Sequence, residues 1–291
     1  MLQGALSEAA PAKVNLALHV TGRRADGYHE LESLVVFVDV ADEVTAHPAK
    51  SDRLRVSGPF AAAAGGGESN LVMRAVKAFR ARWPDRLPEG LDVALTKNLP
   101  VAAGIGGGSA DAAATLRLLA GMAGGDFSIA ELNALALSLG ADVPVCLLSR
   151  PSEVRGVGEI IHPLRSFPTT HLVLVNPLIP VVTADVFRRL EQRTNPPMPP
   201  LPSPLTRPAQ LGLWLAETWN DLEPAAIALV PAIGDLLRQM RVLDGCALAR
   251  MSGSGGTVFG LFGSAAQAHQ AAHEMRAKYP QFWVAAAPVV A

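Results

Sequence analysis

Leu99-Pro100-Val101-Ala102-Ala103-Gly104-Ile105-Gly106-Gly107-Gly108-Ser109-Ala110-Asp111 is the stretch that decides the fold. It lies between an alternating segment, Leu91 to Thr96, and a run of helix formers, Ala112 to Leu119. Strand, glycine loop and helix follow one another in the order that a phosphate-binding loop requires. Glycine lets the backbone approach an anion, and a helix N-terminus offers unpaired N–H groups with a partial positive charge. No Lys-Ser/Thr pair follows the glycines, so this is not a Walker A loop, nor does Gly104 to Ser109 spell G-x-G-x-x-G. The plain alternative is a flexible turn. Against it, glycines opening an apolar helix cost stability unless something uses them.

The composition sets the class. With 291 residues, 49% hydrophobic and 18% charged, the chain is globular and long enough for one large or two ordinary domains. A net charge of -1 gives no basic field for nucleic acid and no polybasic patch for anionic lipid. Cys146 and Cys246 both sit among apolar residues and read as buried thiols of a reducing compartment. Met1 to Glu8 has neither a basic n-region nor an apolar h-region, and no apolar run reaches membrane-spanning length. A soluble cytoplasmic protein is expected.

Upstream of the loop, Lys13 to Val20 alternates strictly and predicts a half-buried strand. Lys13 and Asn15 then share its polar face, which is either a solvated surface or a site. Thr21 to Glu30 is a turn-rich loop carrying Tyr28 and His29, and Tyr28 is either a minor contact or a stacking surface. Residues 34–40 and 43–47 read as two strands and residues 60–67 as a bare loop. Ser69-Asn70 reads as the cap of a helix whose apolar positions include Leu71, Val72, Ala75, Val76 and Phe79.

Downstream, residues 129–139 read as a helix closed by Gly140, leading through Asp142 and Pro144 into an apolar strand over 145–148. Residues 150–170 read as a connector. Strand 171–176, helix 183–190 and an irregular Pro-rich loop from Pro196 to Pro208 follow. Helices over 210–219 and 225–241 precede two strands, 246–250 and 257–262, which flank a second glycine turn, Ser252 to Gly256. A helix over 264–278 and a strand over 282–287 end the chain. The domain boundary is expected near residue 165, giving domains 1–165 and 166–291. His269 and His273 fall four apart on an amphipathic helix and read as a solvated face. No metal-ligand cluster is present in the sequence.

Three segments now stand in order: Pro11-Ala12-Lys13-Val14-Asn15, Leu99 to Ser109, and Met251-Ser252-Gly253-Ser254-Gly255-Gly256. Together they resemble the GHMP kinase superfamily, which phosphorylates small metabolites with ATP. Arg24-Ala25-Asp26-Gly27-Tyr28-His29-Glu30-Leu31 and Gly140-Ala141-Asp142-Val143-Pro144 narrow the likeness to its 4-diphosphocytidyl-2-C-methyl-D-erythritol kinases, which act in the non-mevalonate route to isoprenoid precursors. The resemblance runs from about residue 11 to the last helix. It departs from the family at Leu148 to Val154, where a glycine-rich segment is usual, and at Gly255-Gly256, where Gly-Ala is commoner.

The resemblance implies an α/β (α+β) two-domain GHMP kinase fold with the active site in the cleft between domains. It implies ATP with Mg²⁺, and a small-molecule acceptor phosphorylated on its 2-hydroxyl. The ATP phosphates would lie against Pro100, Val101, Ala102, Ala103, Gly104, Ile105, Gly106, Gly107, Gly108, Ser109 and Ala110, the Ser109 hydroxyl facing a phosphate or Mg²⁺. Asp142 would be the base and Lys13 its charge partner. Asn15 would bind the polyol, Tyr28 and His29 the cytosine, and Thr183 and Phe187 a second wall for that base. Ser69, Asn70 and Leu71 fall where the family places part of the adenine pocket. Another GHMP kinase, of the homoserine or mevalonate type, and a non-catalytic nucleotide-binding protein on the same fold are the alternatives. Monomer and homodimer both stay open.

Overall fold

A computed structural model describes residues 6–290. The leader-free reading of the N-terminus falls mostly on residues 1–5, outside the described residues. The chain runs through β1 (Leu6–Arg23), β2 (His29–Ala49), β3 (Arg53–Ser57), a single turn α1 (Ala61–Ala64), α2 (Leu71–Arg82), β4 (Gly90–Thr96), α3 (Gly107–Ala123), α4 (Ile129–Leu139) and α5 (Val143–Leu148). It continues through β5 (Ser152–Gly156), β6 (Ile160–Pro163), β7 (His171–Asn176), α6 (Thr183–Arg188), α7 (Pro208–Ala216), α8 (Glu223–Leu229) and α9 (Ala232–Arg241). It ends with β8 (Cys246–Met251), β9 (Val258–Phe262), α10 (Ala265–Lys278) and β10 (Trp283–Val290).

Two compact units divide this chain. The first takes the residues up to Ala12, Ala41–Val101 and Gly106–Ser149; the second takes Lys13–Val40, Ala102–Ile105 and Arg150 onward. Compactness therefore does not follow a boundary near residue 165. The reason is strand pairing, since Leu31–Val35 of β2 bond to β5 and Phe37 and Val38 to β10.

In the first unit, the far half of β2 pairs antiparallel with β4, from Glu43 opposite Thr96 to Ala49 opposite Gly90. β3 adds to β4 in parallel. The expected cap is present: Asn70 Oδ1 accepts the Val72 N–H at 2.9 Å. Val72, Ala75, Val76 and Phe79 of α2 are buried, and α2 packs on α3. From Ala110 to Leu116 every residue of α3 is buried, as befits a helix covered on all sides.

The second unit orders its strands β2-β10-β7-β9-β8. β10 lies antiparallel to β7, Trp283 facing Asn176, and β7 lies antiparallel to β9. Val173, Val175, Ile233, Leu236, Met240, Phe262 and Met275 belong to one buried cluster that joins this sheet to α9 and α10. Hydrophobic burial of this kind supplies most of the driving force for folding.

Several expectations change, among them the bare loop over 60–67, which contains the turn α1. Residues 34–47 form one continuous strand, not two. The apolar run after Pro144 is the helix α5, because proline near a helix start is already set to helical φ and needs no N–H there. The connector of residues 150–170 contains the β5–β6 hairpin. The helix expected over 225–241 breaks into α8 and α9 at Pro231, which turns Val230 out of the helical region, to φ −134° and ψ 86°. The polar face of β1 is not solvated: Lys13, Asn15 and His19 are all buried.

Arg250, buried in β8, ties the second unit together. Its guanidinium donates to the carbonyls of Leu16 at 2.6 Å, Thr218 at 2.6 Å and Leu215 at 3.0 Å. Burial lowers its pKa to about 10, so it remains charged at neutral pH. Arg250→Met leaves the Leu16 and Thr218 carbonyls without this donor at ~1–3 kcal/mol each, while the Leu215 carbonyl keeps the Thr218 N–H and hydroxyl. Urea unfolding should show a loss of about 3 kcal/mol or more. A loss under about 1 kcal/mol would mean that the clamp is dispensable.

Candidate active site

In the second unit, β1 brings Lys13 and Asn15 to the two glycine loops. The Lys13 N–H donates to the Ile105 carbonyl at 2.9 Å, and the Thr257 N–H to the Ala103 carbonyl at 3.0 Å. Ser252 Oγ joins strand and loops: it accepts the Asn15 N–H at 3.1 Å and donates to the Gly104 carbonyl at 2.9 Å. Gly104 has φ +72°, and a Cβ there would stand 2.5 Å from the Ser252 and Gly255 carbonyl oxygens. Only glycine satisfies both the conformation and the approach.

Hydrogen bonding fixes the Asn15 side chain. Ser33 Oγ donates its proton to the Ala17 carbonyl at 2.7 Å, so it can only accept from Asn15, and the amide NH2 must face it, at 2.7 Å. Asn15 Oδ1 is therefore left as a buried acceptor with no partner. A buried acceptor of this kind asks for a donor from outside the chain, a water or a ligand hydroxyl.

The same unit holds the residues assigned to the nucleobase. His29 and Phe187 stack, ring centroids 4.8 Å apart at 23°. His29 Nε2 is buried without a partner. Burial first, then the charges of Arg23 and Arg193, lower the His29 pKa and favour the neutral ring. Tyr28 keeps 65% of its surface exposed, while its N–H donates to Asp26 Oδ1 at 3.1 Å. Thr183 Oγ1 and Ser254 Oγ lie 2.8 Å apart, linking α6 to the second glycine turn.

The first unit holds Pro100, Val101 and the start of α3. Gly106, in the left-handed region at φ +65°, is its N-cap; no side chain caps the helix, and its first turn has no acid. The first bond back is from the Ala110 N–H to the Gly106 carbonyl at 2.8 Å. The N–H groups of Gly107, Gly108 and Ser109 thus have no intrahelical acceptor, which is the condition for holding a phosphate. Leu71 Cδ1 would lie 3.4 Å from a Cβ on Gly108, so the start of α2 borders the loop. Asn70, by contrast, is occupied in its cap.

A buried triad, which no motif had pointed to, lies beside this helix start. Lys97 donates to Asp42 and, at 2.7 Å, to Asp111. Asp42 Oδ1 also accepts the N–H groups of Asn98 at 2.6 Å and Leu99 at 2.8 Å, which sets the entry into the loop. Two carboxylates share one ammonium, and Asp111 Oδ1 has no partner. Burial raises the Asp111 pKa to about 7, in opposition to the neighbouring Lys97 charge. The triad escaped sequence reading because its members lie 14 and 55 residues apart.

Asp142, half-buried, precedes α5 as its N-cap residue, and its side chain makes no cap bond. The carboxylate is thus not spent on the helix. Among the described residues, no group of three or more His, Cys, Asp or Glu could hold a metal ion, and no helix is long and apolar enough to cross a membrane. Cys146 is buried, Cys246 only partly, and neither forms a disulfide.

Comparison with known proteins gives consistent matches. Residues 70–150 match the GHMP kinases N terminal domain and residues 204–281 the GHMP kinases C terminal domain. A protein of Mesorhizobium japonicum, named 4-diphosphocytidyl-2-C-methyl-D-erythritol kinase, is 49% identical over 95% of this chain and 93% of its own. A protein of the same name from Paracoccus denitrificans is 51% identical over 96% and 95%. A crystal structure of 4-(cytidine 5'-diphospho)-2C-methyl-D-erythritol kinase superposes with TM-score 0.79 and 36% identity, covering 98% of this chain and 100% of that one. A homoserine kinase from Cytophaga hutchinsonii shares the fold, at TM-score 0.72 and 19% identity.

The triad yields a pH prediction. Asp111 holds its proton to about pH 7 in the folded chain but releases it near 3.8 when unfolded. Between those values the native state binds the extra proton, so stability falls as pH rises. Asp111→Asn, which is neutral throughout, should flatten that slope in urea titrations at pH 5 to 8. An unchanged slope would place the ionisation elsewhere.

Proposed function

Because this chain belongs to the GHMP kinases, in the family of the 4-diphosphocytidyl-2-C-methyl-D-erythritol kinases, we propose that it transfers the γ-phosphoryl group of ATP to the 2-hydroxyl of 4-diphosphocytidyl-2-C-methyl-D-erythritol, in the cytoplasm. The His29–Phe187 stack with its partnerless Nε2 carries the choice of acceptor. A flat ring pair with a free polar edge suits a nucleobase. Homoserine and mevalonate carry none.

Phosphoryl transfer asks the protein mainly for position and charge. The Gly107, Gly108 and Ser109 N–H groups hold the phosphates, and the Ser109 hydroxyl adds a further ligand. The Ser109 hydroxyl is the protein group that would face Mg²⁺, which, bound chiefly through the nucleotide's own phosphates, would supply charge neutralisation there. Asn15 Oδ1 accepts a hydroxyl of the erythritol. Asp142 takes the proton of the attacking hydroxyl, and the Lys13 ammonium favours the ionised base and the oxygen's developing charge. His29 hydrogen-bonds the cytosine edge between Tyr28 and Phe187, with Thr183 closing the wall.

Measured by coupled ADP release, the enzyme should turn over with the diphosphocytidyl acceptor and not with homoserine or mevalonate. Turnover confined to either of the latter would overturn the acceptor. Asp142→Asn should lower kcat by about 10²–10⁴-fold, and an active variant would remove Asp142 as base. Tyr28→Ala should raise KM for the acceptor by roughly tenfold, the worth of about 1–3 kcal/mol of stacking, and leave KM for ATP unchanged. The reverse pattern would move Tyr28 to the nucleotide.

A further inference from the structure

Arg117 lies on α3, some two turns beyond the glycine loop, and makes contacts that the reaction scheme above does not use. Its three nitrogens reach two other elements of the first unit. Nε donates to Glu8 Oε2 at 2.9 Å and Nη2 to the Ala9 carbonyl at 2.7 Å, both on β1. Nη1 donates to the Cys146 carbonyl at 3.0 Å, with Ser149 Oγ at 3.4 Å and the Leu147 carbonyl at 3.5 Å.

These contacts fall on the elements that carry the reacting groups. α5 has only six residues, and a helix so short does not hold its own geometry in water. Its C-terminal carbonyls are held by Arg117 and by Ser149, whose hydroxyl donates to the Cys146 carbonyl at 2.6 Å. Ser149 also closes the helix in the left-handed region, at φ +49°. A cation at a helix C-terminus is favourable both as a donor and against the helix dipole. Asp142 immediately precedes the other end of α5. On β1, Glu8 and Ala9 lie a few residues before Lys13.

We propose that Arg117 is a positioning residue of the phosphoryl transfer. From the helix that begins at the phosphate loop, its guanidinium fixes the short helix led by Asp142 and the strand that goes on to Lys13. The planar fork matters because three donors must point in two directions at once, which a lysine ammonium on a flexible stem does not reproduce. The inference rests on the assignment of Asp142 and Lys13 to the reaction.

Arg117→Ala tests it under steady-state turnover with the diphosphocytidyl acceptor. A misplacement of about 1 Å at the reacting groups costs on the order of 10²-fold, so kcat should fall by about 10–100-fold while KM for ATP stays within about threefold. Guanidinium ion at millimolar concentration should restore part of the lost kcat, and urea at the same concentration should not. Unchanged kcat overturns the proposal. So does a loss that guanidinium leaves untouched, or one matched by weakened ATP binding, since that marks a general structural role. If Arg117→Ala does not fold, Glu8→Gln removes one arm of the fork. It should lower kcat by about two- to fivefold at constant KM for ATP, and no change overturns the proposal. Wild-type turnover and Asp142→Asn, run alongside, report on the functional reading separately: their failure removes the acceptor or the base and says nothing of Arg117.

Discussion

One hydroxyl, Ser252 Oγ, stands between the Asn15 N–H and the Gly104 carbonyl, and the architecture of the second unit depends on the approach it records. For the strand and both glycine loops to meet at that oxygen, Gly104 must lie directly on the backbone of Ser252 and Gly255. No side chain fits between them. The unit meets this constraint with residues far apart in sequence, and secures its rim with Asn220, whose amide donates to the carbonyls of Met251 and Gly253, both at 2.8 Å. Backbone groups otherwise orphaned in so tight a turn are thereby paired. Among the described residues of this unit, Asn15 Oδ1, His29 Nε2 and Thr170 Oγ1 remain buried without a partner, and the first two are those that the proposed reaction uses.

The first unit solves a different problem. A helix start that is to hold phosphate must stay uncapped, and an uncapped start lacks one source of stability. The Asp42–Lys97–Asp111 triad provides another: it anchors the chain just before the loop, through the N–H groups of Asn98 and Leu99, and the helix just after it, through Asp111. Since the carboxylates point at Lys97, they leave the N–H groups of the helix start to an anion. Asp111, with its raised pKa, carries the charge imbalance of this arrangement. The helix start is thus held by ionic contacts beside it, while its first N–H groups stay uncapped.

Much of this was legible in the sequence. The glycine loop, the Asn70 cap and the alternation of Lys13 to Val20 are local patterns, and local patterns survive folding. Family resemblance assigned His29 and Phe187 separately to the nucleobase, and the stack that joins them across 158 residues was not expected. The errors have physical causes. The run after Pro144 is short and apolar, which suits strand and buried helix equally until the proline is weighed. Residues 150–170 lack strong alternation yet form a hairpin, whose first strand also pairs with the distant segment Leu31–Val35. Lys97, Asp111, Arg117 and Arg250 were invisible for the same reason: a buried ion pair or a carbonyl clamp has no signature in a single stretch of chain.

The central claim is the proposed reaction, phosphorylation of a single hydroxyl on a nucleotide-bearing acceptor. The most direct measurement is phosphorus NMR of the product formed from ATP and 4-diphosphocytidyl-2-C-methyl-D-erythritol. The account predicts one new phosphomonoester signal, coupled to the 2-position, with the diphosphate bridge to cytidine intact. Inorganic phosphate alone, or a phosphate on any other hydroxyl, would contradict it.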